Sequence, residues 1–100
     1  MVTKTLVLTQ QAEKDIDDAH DWYESQDQGL GKEFARCVDV KMASVLRAPH
    51  QYQVVFKNIV RRALVNRFPF SIYFVEQKDA ISVFAILHQH RNPESWKSRV

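Results

Sequence analysis

Apolar residues recur along this chain first with a helical period and then with a strand period, and the change falls near residue 50. Residues 4–8 predict a short strand with Leu6 and Leu8 on one face. Thr9 has the side chain of a helix N-cap. From Gln10 to about Ser25, Ala12, Ile16, Ala19 and Tyr23 return at helical spacing while carboxylates fill the positions between them. Glu13 and Asp15 suit the positive end of a helix dipole. Residues 26–31 break the pattern and hold both glycines. A second helix is predicted from about Lys32 to Arg47. Its stripe is Phe34, Val38, Met42 and Val45, flanked by Ala35, Cys37 and Leu46. Ala48-Pro49 ends it, because a residue before proline is pushed out of the helical region. So short a connection between two amphipathic helices predicts an antiparallel helical hairpin.

The second half reads as strands. Val54-Val55-Phe56 is a short apolar run, Lys57-Asn58 a turn, and Arg61 to Phe68 a strand. Pro69 cannot donate to a ladder and belongs at a strand end. Phe70, Ile72 and Phe74 alternate with Ser71, Tyr73 and Val75, and Gln77-Lys78-Asp79 forms a hairpin turn. Ala80 to Leu87 is almost continuously apolar, the mark of a central strand buried on both faces. Helices that precede the strands rather than alternating with them indicate an α+β fold. The expectation is an N-terminal strand and a helical hairpin packed on one face of a mostly antiparallel sheet of four or five strands. The other face is expected to carry polar and basic side chains from the strands and from the tail, residues 88–100.

Composition narrows the class. One hundred residues fit a single domain, 1–100. Cys37 is the only cysteine, which excludes an internal disulfide or a multi-cysteine zinc site and fits a reducing cytoplasm. The first nine residues lack the pattern of a signal peptide, and no apolar run approaches a membrane span. Net charge is only +2 but unevenly placed. Residues 1–27 hold two lysines against seven carboxylates, a net of −5. Residues 28–100 hold twelve Lys and Arg against five carboxylates, a net of +7. A basic stretch of this kind is a footprint for nucleic acid or for an acidic protein segment.

Candidate chemistry lies after residue 56: Lys57, Arg61, Arg62, Arg67, Tyr73, His88, His90, Arg91, Lys97 and Arg99. In a regular strand Arg61, Ala63, Val65 and Arg67 share one face, and Arg62, Leu64, Asn66 and Phe68 the other. Such a set has two uses. A metal-free ribonuclease needs a base for the 2′-hydroxyl, cations for the phosphorane charge and an acid for the leaving oxygen. His88 or His90 supplies acid or base near neutral pH, and Arg61 and Arg67 supply forked cations. The other use is recognition alone, through Arg91, Trp96 and Arg99 in the tail, residue types enriched at interface hot spots. His88 and His90 have no third ligand nearby, so neither a metal nor a cofactor is expected, and Cys37 reads as core.

One family matches these residues in order. Leu8-Thr9, Ala12, Asp15-Ile16, Trp22-Tyr23, Gly31, Phe34 and Pro49 lead into Val60 through Phe74, then Ile81, Val83, Leu87-His88, His90-Arg91-Asn92-Pro93 and Trp96. Over nearly its whole length the chain resembles the RelE/ParE toxin superfamily, especially ParE-like plasmid stabilisation proteins. The resemblance implies a cytoplasmic, growth-inhibiting toxin of a type II toxin–antitoxin system, neutralised by a cognate antitoxin. ParE-like members inhibit DNA gyrase and cleave no RNA; RelE-like members are mRNA interferases that cut mRNA on the ribosome. RelE-like sites combine strand-borne cations with a Tyr, His or Glu near the C-terminus. Arg61, Arg67, His88 and His90 stand in such places, but no Tyr follows residue 73 and the strands hold few lysines. The stretch Arg61 to Phe74 favours the ParE-type reading. Arg61, Arg62, Arg67, Arg91, Trp96 and Arg99 are then the candidate target contacts.

Overall fold

The computed structural model describes residues 4–100, so the reading of the first nine residues as no signal peptide lies partly outside the described residues. After strand β1 (Thr5–Leu8), Thr9 is extended and its Oγ1 accepts the N–H of Ala12 at 3.1 Å, starting helix α1 (Gln10–Gln26). Ala12 and Ala19 are its buried residues; their small side chains let α1 lie close to the layer beneath. The expected second helix begins two residues earlier than its apolar pattern, as α2 (Leu30–Arg47). The reason is a cap supplied from outside α2. Glu24 accepts the N–H groups of Gly29 at 2.8 Å and Gly31 at 2.9 Å, two donors with no partner inside the helix. Those bonds hold the Glu24 carboxyl below its ordinary range. Gly31 also permits the helices to touch: a Cβ there would stand 2.5 Å from the His20 carbonyl oxygen.

A 3₁₀ turn (Pro49–Gln51) leads into β2 (Gln53–Phe56), β3 (Val60–Leu64), β4 (Phe70–Glu76) and β5 (Ala80–His88). A four-residue helix, α3 (Glu94–Lys97), lies in the tail. The sheet order is β1-β5-β4-β3-β2, antiparallel throughout except for the parallel pair β1–β5. This is the expected α+β arrangement, with five strands.

Two local features differ from regular strands. The strand expected over Arg61–Phe68 ends at Leu64. Val65 still donates to Phe70 O at 2.9 Å, but Arg67 is left-handed, with φ 72. That turn swings Phe68 back into the helix-side core, against the alternation that put it on the opposite face. The second feature is in β5. Tyr73 pairs with Ala85 and Phe74 with Val83, so Phe84 is an extra residue, a β-bulge. The bulge changes the parity. Ile81 and Val83 face the helices together with Ile86, while Phe84, Ala85 and Leu87 pack on the other side.

The main core lies between the sheet and the hairpin, around Phe34, Val38, Val45, Ile72, Phe74, Ile81 and Ile86. Tyr23, Phe34, Phe68 and Phe70 form its aromatic end, with ring centroids 4.9–6.0 Å apart. The opposite face is not the polar surface expected from the sequence. Val60, Tyr73, Ala85 and Leu87 form a second, smaller core there, closed by Trp96 of α3. Trp96 stacks on Tyr73 at 4.4 Å and meets Phe56 edge-on at 5.7 Å.

Candidate functional site

The ends of β4 and β5 bring the two candidate histidines together. His88 closes β5 opposite Phe70, and the chain turns back as Gln89 N–H donates to Pro69 O at 2.8 Å. The His90 N–H donates to His88 Nδ1 at 3.1 Å, and the two rings lie 5.3 Å apart. With Nδ1 accepting, neutral His88 carries its proton on Nε2. Beside His88 runs an apolar groove of about 430 Å³ lined by Ala19, Trp22, Tyr23, Pro69 and Phe70. Trp22 is 59% exposed along it, an unusual placement for an indole. A smaller cleft shares His88, Ala19 and Phe70 with this groove and adds Asp15, Asp18 and Arg91.

The candidate arginines take separate places. Arg61 faces the hairpin, and its Nη1 donates to Tyr52 O at 2.6 Å. Arg67, carried out by its left-handed turn, reaches Glu33 of α2 at 2.6 Å. Glu33 also binds Arg36; the two guanidinium groups, Arg36 foremost, hold its carboxyl below the ordinary value. Arg62 lies across the sheet from Arg61, opposite Tyr73 and so on the Trp96 face.

Arg61 does not join the histidines. It pairs with Phe74 of β4, whereas His88 pairs with Phe70. Four residues along a strand and two strand spacings across separate the backbones by about 13 Å and about 10 Å respectively. Their side chains do not converge on one phosphate in this arrangement.

The tail is held down firmly. Arg99 forks onto Asp15 of α1, Nη1 to Oδ2 at 2.6 Å and Nη2 to Oδ1 at 3.2 Å. Nη1 also donates to Phe84 O at 3.1 Å, and Asp15 Oδ2 accepts the Ile86 N–H at 3.0 Å. The two side chains are only 15% and 10% exposed. Their position explains the arrangement. β1 pairs with β5 only as far as Val83, so the edge of β5 beyond it would expose unpaired backbone. Asp15 and Arg99 take the place of the missing strand. Sequence reasoning gave Asp15 a dipole role and Arg99 a target contact and did not pair them; here Arg99 is turned inward onto Asp15. The signal was present: Asp15 shares the buried side of α1 with Ala12 and Ala19, three and four residues away, where an isolated carboxylate needs a partner. Trp96, 6% exposed, is likewise packed inward.

No group of metal-ligating side chains is assembled among the described residues, and no helix there is long and apolar enough to cross a membrane.

A helical hairpin on one face of a five-stranded sheet, with a clasped C-terminal tail on the other, is a fold shared with a solved toxin–antitoxin structure. That structure, titled a chromosomal ParDE TA system from P. aeruginosa, superposes with a TM-score of 0.78 over 86% of this chain and 96% of its own, at 19% identity. No curated protein matches the sequence. The chain belongs to the family described as ParE toxin of type II toxin-antitoxin system, parDE, whose pattern matches residues 6–93.

Proposed function

We propose that this ParE-family toxin, a single domain over 1–100 acting in the cytoplasm, stops growth by binding DNA gyrase and is neutralised by a cognate antitoxin. In this reading it is a binder and not a ribonuclease. The observation that carries it is the dispersal of the candidate catalytic set. Arg61 is bonded to Tyr52 O, Arg67 to Glu33, and His88 of the His88–His90 pair stands two strands across and four residues along from Arg61. A nuclease needs acid, base and cation at one phosphate; a binder needs only a stable surface. Arg67 and Arg91, both exposed, and half-exposed Arg62 are the proposed direct target contacts. Trp96 and Arg99 serve by fixing the tail that carries Arg91 and Lys97.

The test is induced expression combined with a gyrase supercoiling assay on the pure chain. Inhibited supercoiling, an induced DNA-damage response and toxicity that survives His88→Gln and His90→Gln are expected. Glutamine keeps hydrogen bonding but carries no transferable proton, and loss of an acid or base typically costs ~10²–10⁴ in rate. Ribosome-dependent mRNA fragments that vanish with the glutamine variants would overturn this reading in favour of an mRNA interferase. Co-expression of the neighbouring short reading frame should restore growth.

A further inference from the structure

The sheet face opposite the helical hairpin carries cations that form no ion pair among the described residues. Lys57, in the β2–β3 turn, holds its Nζ 5.2 Å from the centroid of the Phe56 ring. Lys97, from α3, holds its Nζ 5.0 Å from the same centroid and 5.7 Å from that of Trp96. Arg62 stands on this face opposite Tyr73, whose ring stacks on Trp96. Lys57 and Lys97 thus flank one aromatic cluster made of Phe56, Tyr73 and Trp96, and Arg62 springs from the same face of the sheet.

Among the described residues none of the three forms an ion pair, although Lys4, Lys14, Arg36, Arg67 and Arg99 all do. β2, β3 and β5 contain no acidic residue. The one in β4, Glu76, is occupied by Lys4 and His50. Glu94, one turn before Lys97, makes no ion pair with it either.

The β2–β3 turn adds an independent observation. Lys57 and Asn58 both have positive φ, 52 and 60, and Ile59 N–H donates to Phe56 O at 3.1 Å. Such a turn favours Gly, Asn or Asp at its first centre, and a lysine there is in a conformation L-residues rarely take. Local folding does not call for this residue.

We propose that this face binds duplex DNA through the phosphate backbone, without reading base sequence. The proposal rests on the gyrase reading, since gyrase presents duplex DNA to a bound inhibitor. Phosphates are favoured over an acidic peptide by shape. Peptide docking uses grooves that take up side chains; Lys57 and Lys97 line neither the groove nor the cleft beside His88, and of the three cations only Arg62 borders a cleft, one it shares with Lys41, Gln53 and Leu64. Two ammoniums beside one ring, over aromatic side chains that are themselves packed inward, present charge without a pocket and suit a regular row of charges. The acidic helix α1 lies in the opposite layer and would be repelled by the same polyanion, which favours approach by this face.

The experiment is fluorescence anisotropy of the full chain with a labelled random-sequence duplex, without gyrase, across a salt series. Three phosphate contacts give a slope of log K against log salt of about −2.7, so affinity falls about 40-fold between 50 and 200 mM salt. Lys57→Gln, Arg62→Gln and Lys97→Gln should each make the slope shallower by about 1, and the triple variant should abolish binding. Lys32→Gln, on the helical layer, should leave the slope unchanged. Lys57→Asn, which tolerates the left-handed turn, keeps the test valid should the triple variant fold poorly: it too should lose about one unit of slope. No measurable binding by the unaltered chain at 50 mM salt overturns the proposal. So does binding indifferent to these substitutions, or a triple variant that keeps DNA affinity but loses its antitoxin, which would make the face a protein site. Supercoiling inhibition, measured separately, tells the two failures apart. Patch-dependent DNA binding without gyrase inhibition sinks the gyrase reading alone, and gyrase inhibition without patch-dependent DNA binding sinks this one.

Discussion

Removing Asp15 should unfold this protein more readily than removing Arg99, although the two are partners. The Asp15 carboxylate receives the Arg99 guanidinium and the Ile86 N–H. Asp15→Ala therefore leaves a backbone donor at the β5 edge and a guanidinium whose one remaining partner is Phe84 O. Breaking a buried pair by removing one member costs about 3–5 kcal/mol. Here the stranded cation sits one residue from the chain end and can swing into water, so the lower figure, about 3 kcal/mol, applies. In a domain of this size 1 kcal/mol moves Tm by roughly 4–8 °C, so the midpoint should fall by roughly 15 °C. Arg99→Ala leaves Asp15 bonded to Ile86 N–H and able to admit water, and should cost about 1–2 kcal/mol. Thermal or urea unfolding of both variants and the double variant gives the coupling energy. Both single variants should also speed trypsin cleavage after Arg91 and Lys97, because the tail loses its clasp. Equal losses in the two variants, or a coupling below about 0.5 kcal/mol, would refute the view that Asp15 stands in for the missing strand.

Gly31→Ala places a methyl 2.5 Å from His20 O and 2.9 Å from its ring, and should destabilise by about 1–3 kcal/mol in urea titration. Gly29→Ala meets nothing within 4 Å but must hold φ 87, so about 1 kcal/mol is expected, with Gly29→Asn milder. Glu24, Glu33 and Glu76 all have carboxyls held below their ordinary value, Glu76 by Lys4 and then His50. A depressed folded pKa contributes stability that is complete above the unfolded value near 4.5 and is lost as pH falls through the lower folded value. The Tm should therefore drop as pH falls below about 4.5, and Glu24→Gln should flatten part of that drop in a pH-dependent melt. Trp96→Ala empties the second core and should cost about 3–5 kcal/mol, whereas Trp22→Ala, at an exposed ring, should stay within about 0.5 kcal/mol by the same melt.

Periodicity alone located every helix and strand of the main layers. The stripes Ala12–Tyr23 and Phe34–Val45 can bury only one side of a helix each, and the alternation over Phe70–Val75 admits only a strand. The two-sided burial of β5 was legible for the same reason, since Ala80–Leu87 offers no polar face. The family was legible too, because its pattern is spread along the whole chain. The sequence did not reveal where alternation fails. The bulge at Phe84 and the left-handed Arg67 depend on how neighbouring strands register, which no local spacing encodes. Nor did it reveal which charges cancel. Asp15 and Arg99 stand 84 residues apart, Glu33 and Arg67 34 apart. Only folding brings each pair within hydrogen-bond reach, and only folding gathers Lys57, Arg62 and Lys97 on one face, where none of them forms an ion pair among the described residues.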